Sequence, residues 1–149
     1  MAPSREQLLK TANLCIESFN EFTPEAVTKY LSPSCRWMLK PKTLKAPPRN
    51  RTEFGEFIGS LKPAMPGGLH LFVADGQEPA IDVVTRKVTL YLKSRSETKP
   101  GLYENEYVWV ITMNEDGTEV VEVIEFVDSL YTDLWLVKLK NAAEEATTK

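Results

Sequence analysis

Two periods divide the hydrophobic pattern of the chain: helical stripes come first, and strand-like alternation takes over from about residue 69. Leu8, Ala12, Cys15, Ile16 and Phe19 share one helical face behind a Ser4/Gln7 capping pattern, which predicts a helix over residues 5–20. Thr23 followed by Pro24 is an N-cap followed by the residue best tolerated at the first helical position. Ala26, Val27, Tyr30 and Leu31 carry the face of this short second helix, which Ser32 and Pro33 end. Residues 35–39 read as a strand or extended edge before the proline-laden loop 41–48. Asn50 and Glu53 repeat the capping pattern, and Phe54, Phe57, Ile58 and Leu61 form a third stripe that Lys62 and Pro63 stop.

Beyond the Pro66-Gly67-Gly68 turn the spacing predicts strands over residues 69–74 and 83–94, then a hairpin. Its two runs, 103–111 and 119–128, are rich in β-branched and aromatic residues and flank a turn at Asn114-Glu115-Asp116-Gly117. Alternation puts Tyr103, Asn105, Tyr107, Trp109 and Ile111 on one face, read as the inner one. On the partner run it puts Val121, Val123, Glu125 and Val127 on one face and Glu122, Ile124, Phe126 and Asp128 on the other. Residues 130–139 finish as a strand end or a short helix, and the polar tail 141–149 is expected to fray. Helices followed by antiparallel strands argue an α+β domain, its helices on one face of a strongly curved sheet that encloses a pocket.

Composition narrows the function classes. The chain has 149 residues, 42% hydrophobic and 26% charged, which suits one globular domain spanning 1–149. A net charge of -3 and scattered basic residues give no attraction for nucleic acid. The first residues lack the apolar core of a signal peptide and no run reaches a membrane span, so a cytoplasmic location is expected. Cys15 and Cys35 are read as free thiols. Lys40, Lys42, Lys45, Arg49 and Arg51 form a positive rim around the proline-rich loop, read as solvated.

Candidate chemistry centres on a few side chains. Glu125 has only valines as same-face neighbours, an environment that raises a carboxyl pKa into the range of a general acid or base. The alternative is a structural carboxylate paired with an arginine. Asp128, at the strand end, suits a cap better than catalysis, and stands as a second candidate acid. His70 is the only histidine, read first as a surface or hydrogen-bonded structural residue and, as the sharper alternative, as a catalytic acid or base. With no close Cys or His partners, a metal site is not expected. Asn105 and Tyr107 offer polar groups inside an apolar wall, and Trp109 and Trp37 are either wall or core. No nucleotide-binding glycine motif and no serine-nucleophile motif is present, so no cofactor is expected.

The order of elements and several local stretches resemble the SnoaL-like branch of the nuclear-transport-factor-2-like (NTF2-like, cystatin-like) superfamily. The stretches are Cys35-Arg36-Trp37, Arg51-Thr52-Glu53-Phe54, Tyr103-Glu104-Asn105-Glu106-Tyr107-Val108-Trp109 and Glu125-Phe126-Val127-Asp128-Ser129. Within it the chain is similar to small fungal proteins of polyketide and meroterpenoid biosynthesis. The resemblance implies a conical pocket between three N-terminal helices and the concave face of a mostly antiparallel sheet, and a homodimer built through that sheet. It also implies a pocket carboxylate at Glu125, with His70 on an early strand that lines the same pocket.

Three functions follow as expectations. The first is a cofactor-independent isomerase or cyclase acting on a bulky apolar meroterpenoid or polyketide-like substrate. Glu125 would move the proton, His70 would complement it, and Asn105 and Tyr107 would hold an enolate oxygen. The second is a non-catalytic ligand-binding or dimerisation module, with its cone plugged by aromatics. The third is an epoxide hydrolase, with Arg36 or Lys93 joining Glu125 around a water.

Overall fold

The computed structural model describes residues 2–148. Its helices are α1 (Arg5–Phe19), α2 (Pro24–Thr28), α3 (Arg51–Leu61) and α4 (Ser129–Thr147). The strands are β1 (Leu31–Lys40), β2 (Arg49–Asn50), β3 (Leu71–Val73), β4 (Ala80–Asp82), β5 (Lys87–Thr98), β6 (Gly101–Met113) and β7 (Val120–Val127). They form one sheet in the order β2-β1-β7-β6-β5-β3, with β4 also paired to β5. All pairings are antiparallel except β1 with β7. This is the expected α+β architecture: a curved, mostly antiparallel sheet with helices against it.

Each N-terminal helix starts where its capping residues dictate. Ser4 Oγ accepts from the Gln7 N–H, Thr23 Oγ1 accepts from the Ala26 N–H, and Asn50 with Glu53 makes a complete reciprocal box. The second helix is shorter than its stripe suggested. It ends at Thr28, and Ser32 and Pro33 lie inside β1. The register of β1 against β7 shifts between Leu31 and Arg36, where Pro33 has no N–H to give the ladder. The hairpin turn is tied to α1, because both Thr11 Oγ1 and Gln7 Nε2 donate to the Gly117 carbonyl.

The inner face of β6 is the predicted one: Tyr103, Asn105, Tyr107, Trp109, Ile111 and Met113 are all buried. In β7 the register against β6 shifts between Thr112 and Met113, where Thr112 faces Glu122 and Met113 faces Val120. The inward residue at the start of the strand is therefore Val120 rather than Val121. From Val123 onward simple alternation resumes, which places Glu125 opposite Trp109 and Val127 opposite Tyr107.

The C-terminal segment departs from expectation. Residues 129–147 form one continuous helix, so the stretch read as a strand end or short helix, with a frayed tail, is a single 19-residue element. Asp128 starts it, accepting from the Tyr131 N–H at 3.1 Å. Thr132, Leu139 and Ala143 turn inward, and Leu136 is part-buried on the same side. Tyr131 Oη accepts the Glu104 N–H at 2.8 Å, so α4 takes over the free edge of β6 where β7 ends. Replacing Asp128 with Ala is expected to cost about 1 kcal/mol, the typical value of such a cap, measured by urea denaturation.

The core lies between the helices and the concave face. Its centre is aromatic: Trp37 stacks on Phe54 with ring centroids 3.9 Å apart, and Trp109 meets Trp37 edge-on at 5.0 Å and Phe19 edge-on at 5.2 Å. Cys15 and Cys35 are buried free thiols, and burial pushes both up to about 12, which keeps them protonated and inert. Among the described residues no helix is long and apolar enough to cross a membrane.

Candidate active site

The aromatic core is not fully packed. A cavity of about 80 Å³, open to solvent at its mouth, runs between α1, α3 and α4 on one side and β1, β6 and β7 on the other. Phe19, Phe22, Phe54, Phe57 and Leu136 supply much of its apolar wall. Three kinds of polar group interrupt that wall: the Glu125 carboxyl, the Arg49 guanidinium, and a set of hydroxyl and indole donors. An apolar wall with a few fixed polar groups is the composition typical of small-molecule sites.

Glu125 reaches the cavity because the β6–β7 register aims it inward. Trp37 Nε1 donates to its Oε1 at 2.8 Å. Burial raises the carboxyl from an ordinary 4.5 to about 7, against the opposing pull of the Trp37 and Trp109 indoles and of Arg49. At neutral pH the group is therefore divided between its acid and its carboxylate, the state a proton shuttle needs. The Trp109 N–H is near enough to favour the ionised carboxyl. It nevertheless falls short of hydrogen-bond geometry with any acceptor among the described residues, and so remains a buried donor without a partner.

Arg49 is the cavity-lining cation that the sequence pattern hid among the loop cations. Lys42 and Lys45 are exposed, as expected of a solvated rim, whereas Arg49 is half-buried and lines the cavity. It pairs with Trp37 across β1 and β2, and its guanidinium lies 3.9 Å from the Phe57 ring centroid. Burial lowers its pKa, partly offset by Glu53 and Glu125, and it forms no ion pair among the described residues. Arg49 immediately precedes the Asn50 cap, and its residue type does not distinguish it from the solvated cations of the same loop.

A second polar group sits toward α4. Tyr107 Oη shares a hydrogen bond of 2.7 Å with Ser94 Oγ and one of 3.2 Å with Tyr103 Oη. Burial pushes the Tyr103 hydroxyl up to about 12 and holds the Tyr107 hydroxyl well above its usual range, so both stay protonated donors. Asn105 stands behind them, giving its amide hydrogens to Tyr103 Oη at 2.8 Å and Thr132 Oγ1 at 2.9 Å.

Of the residues singled out from the sequence, Glu125, Trp37, Trp109 and Tyr107 converge on this cavity. Asn105 is one layer back, its amide engaged with protein groups. Four others lie elsewhere. His70 is exposed just before β3, beside Phe72 at 5.4 Å between ring centroids, because the flanking Leu69 and Leu71 turn inward and alternation turns the imidazole out. The expectation that it lines the pocket is corrected on that ground. Arg36 and Lys93 occupy outward positions of β1 and β5 and are exposed, so neither meets Glu125. Asp128 caps α4 and is absent from the cavity wall. Among the described residues no cluster of three or more His, Cys, Asp or Glu could hold a metal ion.

A curved, mostly antiparallel sheet with helices packed against it and an apolar cavity between them is the NTF2-like, cystatin-like fold. No family profile matches the chain. Individual relatives do: it is 36% identical over 141 residues to austinoid biosynthesis clusters protein H of Penicillium brasilianum, covering 94% of this chain and 95% of that protein. The BvnE pinacolase of Penicillium brevicompactum superposes with a TM-score of 0.85 at 36% identity, covering 94% of this chain and 98% of that one. A candidate SnoaL-like polyketide cyclase from Jannaschia sp. CCS1 matches at a TM-score of 0.67 and 12% identity over 94% of this chain and 96% of that one, a likeness of fold alone. The chain belongs to the family of fungal meroterpenoid-cluster proteins with the SnoaL-like fold.

Proposed function

We propose that this protein is a cofactor-independent isomerase or cyclase of fungal secondary metabolism that rearranges a bulky, mostly apolar terpenoid or polyketide ring system by acid–base chemistry. The observation that carries the reading is Glu125, a carboxyl held near neutrality in an apolar cavity and pinned by Trp37. The names of relatives add support, since a pinacolase with the same fold points to rearrangement of a carbon skeleton.

In the reaction, the Glu125 carboxylate takes a proton from a carbon beside a carbonyl or from a hydroxyl. The electron pair moves to the substrate oxygen or into the migrating bond, and the Glu125 acid returns the proton to a new position. The developing oxyanion is met by the unpartnered Trp109 N–H and by the field of Arg49. Those groups replace His70 as the complement to Glu125. A purely ligand-holding module would have no use for so perturbed a carboxyl. An epoxide hydrolase built on Arg36 or Lys93 fails because both are exposed outside the cavity. A homodimer through the sheet fits the half-exposed Phe126 and its part-buried neighbours Ile124, Val108 and Val110 on the outer face.

The test is the pH dependence of kcat/KM on the meroterpenoid substrate. With the Glu125 carboxylate as base, the rate rises as pH passes through about 7 and then levels off. A profile flat from pH 5 to 9, on the order of two units either side of that value, removes Glu125 from the proton transfer.

A further inference from the structure

The Asn105 amide accepts the Glu106 N–H through Oδ1 at 2.8 Å, and this fixes which end of the amide is oxygen: a flipped amide would set two donors against each other. Nδ2 then has both of its hydrogens directed at hydroxyls, Tyr103 Oη at 2.8 Å and Thr132 Oγ1 at 2.9 Å. Each hydroxyl therefore accepts from Asn105 and must place its own proton elsewhere. Tyr103 has Tyr107 Oη at 3.2 Å to receive it. Thr132 has no acceptor for its proton among the described residues, yet the residue is only 6% exposed and lines the cavity.

A hydroxyl proton left over on a buried wall needs an acceptor from outside the protein. We propose that Thr132 Oγ1, oriented by Asn105, is the donor that seats a carbonyl oxygen of the substrate in the cavity. Asn105 is thus a positioning residue, and its own amide, fully engaged, does not touch the ligand. Thr132 is placed by α4: the neighbouring Tyr131 Oη holds the Glu104 N–H at 2.8 Å, which locks this turn of the helix against β6 beside Asn105. The inference takes from the proposed function only that the cavity is the substrate site. It adds that the substrate carries an acceptor oxygen on its α4 side.

The experiment compares two ring probes of the same shape, cyclohexanone and methylenecyclohexane, by NMR titration of the protein. In Thr132→Val the Kd for cyclohexanone rises roughly three- to ten-fold while that for methylenecyclohexane is unchanged, and Thr132→Ser restores the ketone preference. Asn105→Asp keeps an acceptor for the Glu106 N–H but reverses the polarity of both other bonds, turning the two hydroxyl protons away from the cavity. It should therefore lose the ketone preference while still binding the hydrocarbon. Equal effects on both probes, no effect of Thr132→Val on the ketone, or a wild-type cavity that takes neither probe would overturn the assignment. Because the readout is binding, it stands or falls separately from any loss of turnover at Glu125.

Discussion

Glutamine in place of Glu125 is expected to lower kcat by roughly 10²- to 10⁴-fold, the usual worth of a positioned acid–base group. The substitution is nearly isosteric, and the amide oxygen can still accept from Trp37 Nε1, so the wall of the cavity survives. The same variant carries a stability signature of defined sign. Glu125 titrates near 4.5 in the unfolded chain and about 7 in the fold, so the folded state binds the extra proton between those values. Below pH 4.5 both states are protonated and the group costs nothing. As pH rises from 4.5 to 7 the penalty on the fold grows, and above 7 it levels off at about 3 kcal/mol. Glu125→Gln should therefore melt near wild type in acid and higher than wild type at pH 8. His70→Ala, at an exposed position outside the cavity, should retain full turnover. A Glu125→Gln enzyme with wild-type kcat would end the proposed mechanism.

Alanine in place of Trp109 should cost about 3–5 kcal/mol, because the indole is buried and packed edge-on against Trp37 and Phe19. Its second effect is on Glu125, the residue facing it across β6 and β7. Removing the indole takes away a donor that lowers the carboxyl pKa, but it also admits water to the space that raises it. Burial is the larger of the two influences, so the net result should be a fall back toward 4.5. Urea denaturation measures the first effect and carboxyl NMR the second. A Trp109→Ala protein in which Glu125 still titrates near 7 would mean that the cavity is kept dry by other side chains.

Much of the fold was legible because local signals agreed with the tertiary outcome. The capping pairs at Ser4, Thr23 and Asn50 marked real helix starts. The aromatic face of β6 was legible because its pairing with β5 runs in continuous register, so period-two alternation holds from Tyr103 to Met113. On β7 the shift near Val120 moved the first inward residue but left the later half in phase, which is why Glu125 points where its valine neighbours implied. Helix α4 was hidden by composition. Tyr131, Trp135 and Val137 are as much at home in a strand, and the decisive signals were the Asp128 cap and the helical spacing of Thr132, Leu136, Leu139 and Ala143. Arg49 looked like one more loop cation, because nothing in the loop composition tells a stacked guanidinium from a solvated one. The Asn105 hydrogen-bond set was out of reach for a different reason. Its direction depends on Thr132, which is distant in sequence and on the element whose type was ambiguous.

Every chemical step assigned to this cavity rests on one carboxyl being near neutrality. Titrating the side-chain carboxyl carbon of Glu125 by NMR between pH 4 and 9 measures that directly, with Glu125→Gln providing the resonance assignment. The expected midpoint is about 7. A midpoint at the ordinary 4.5 would leave a permanently ionised surface-like carboxylate and contradict it.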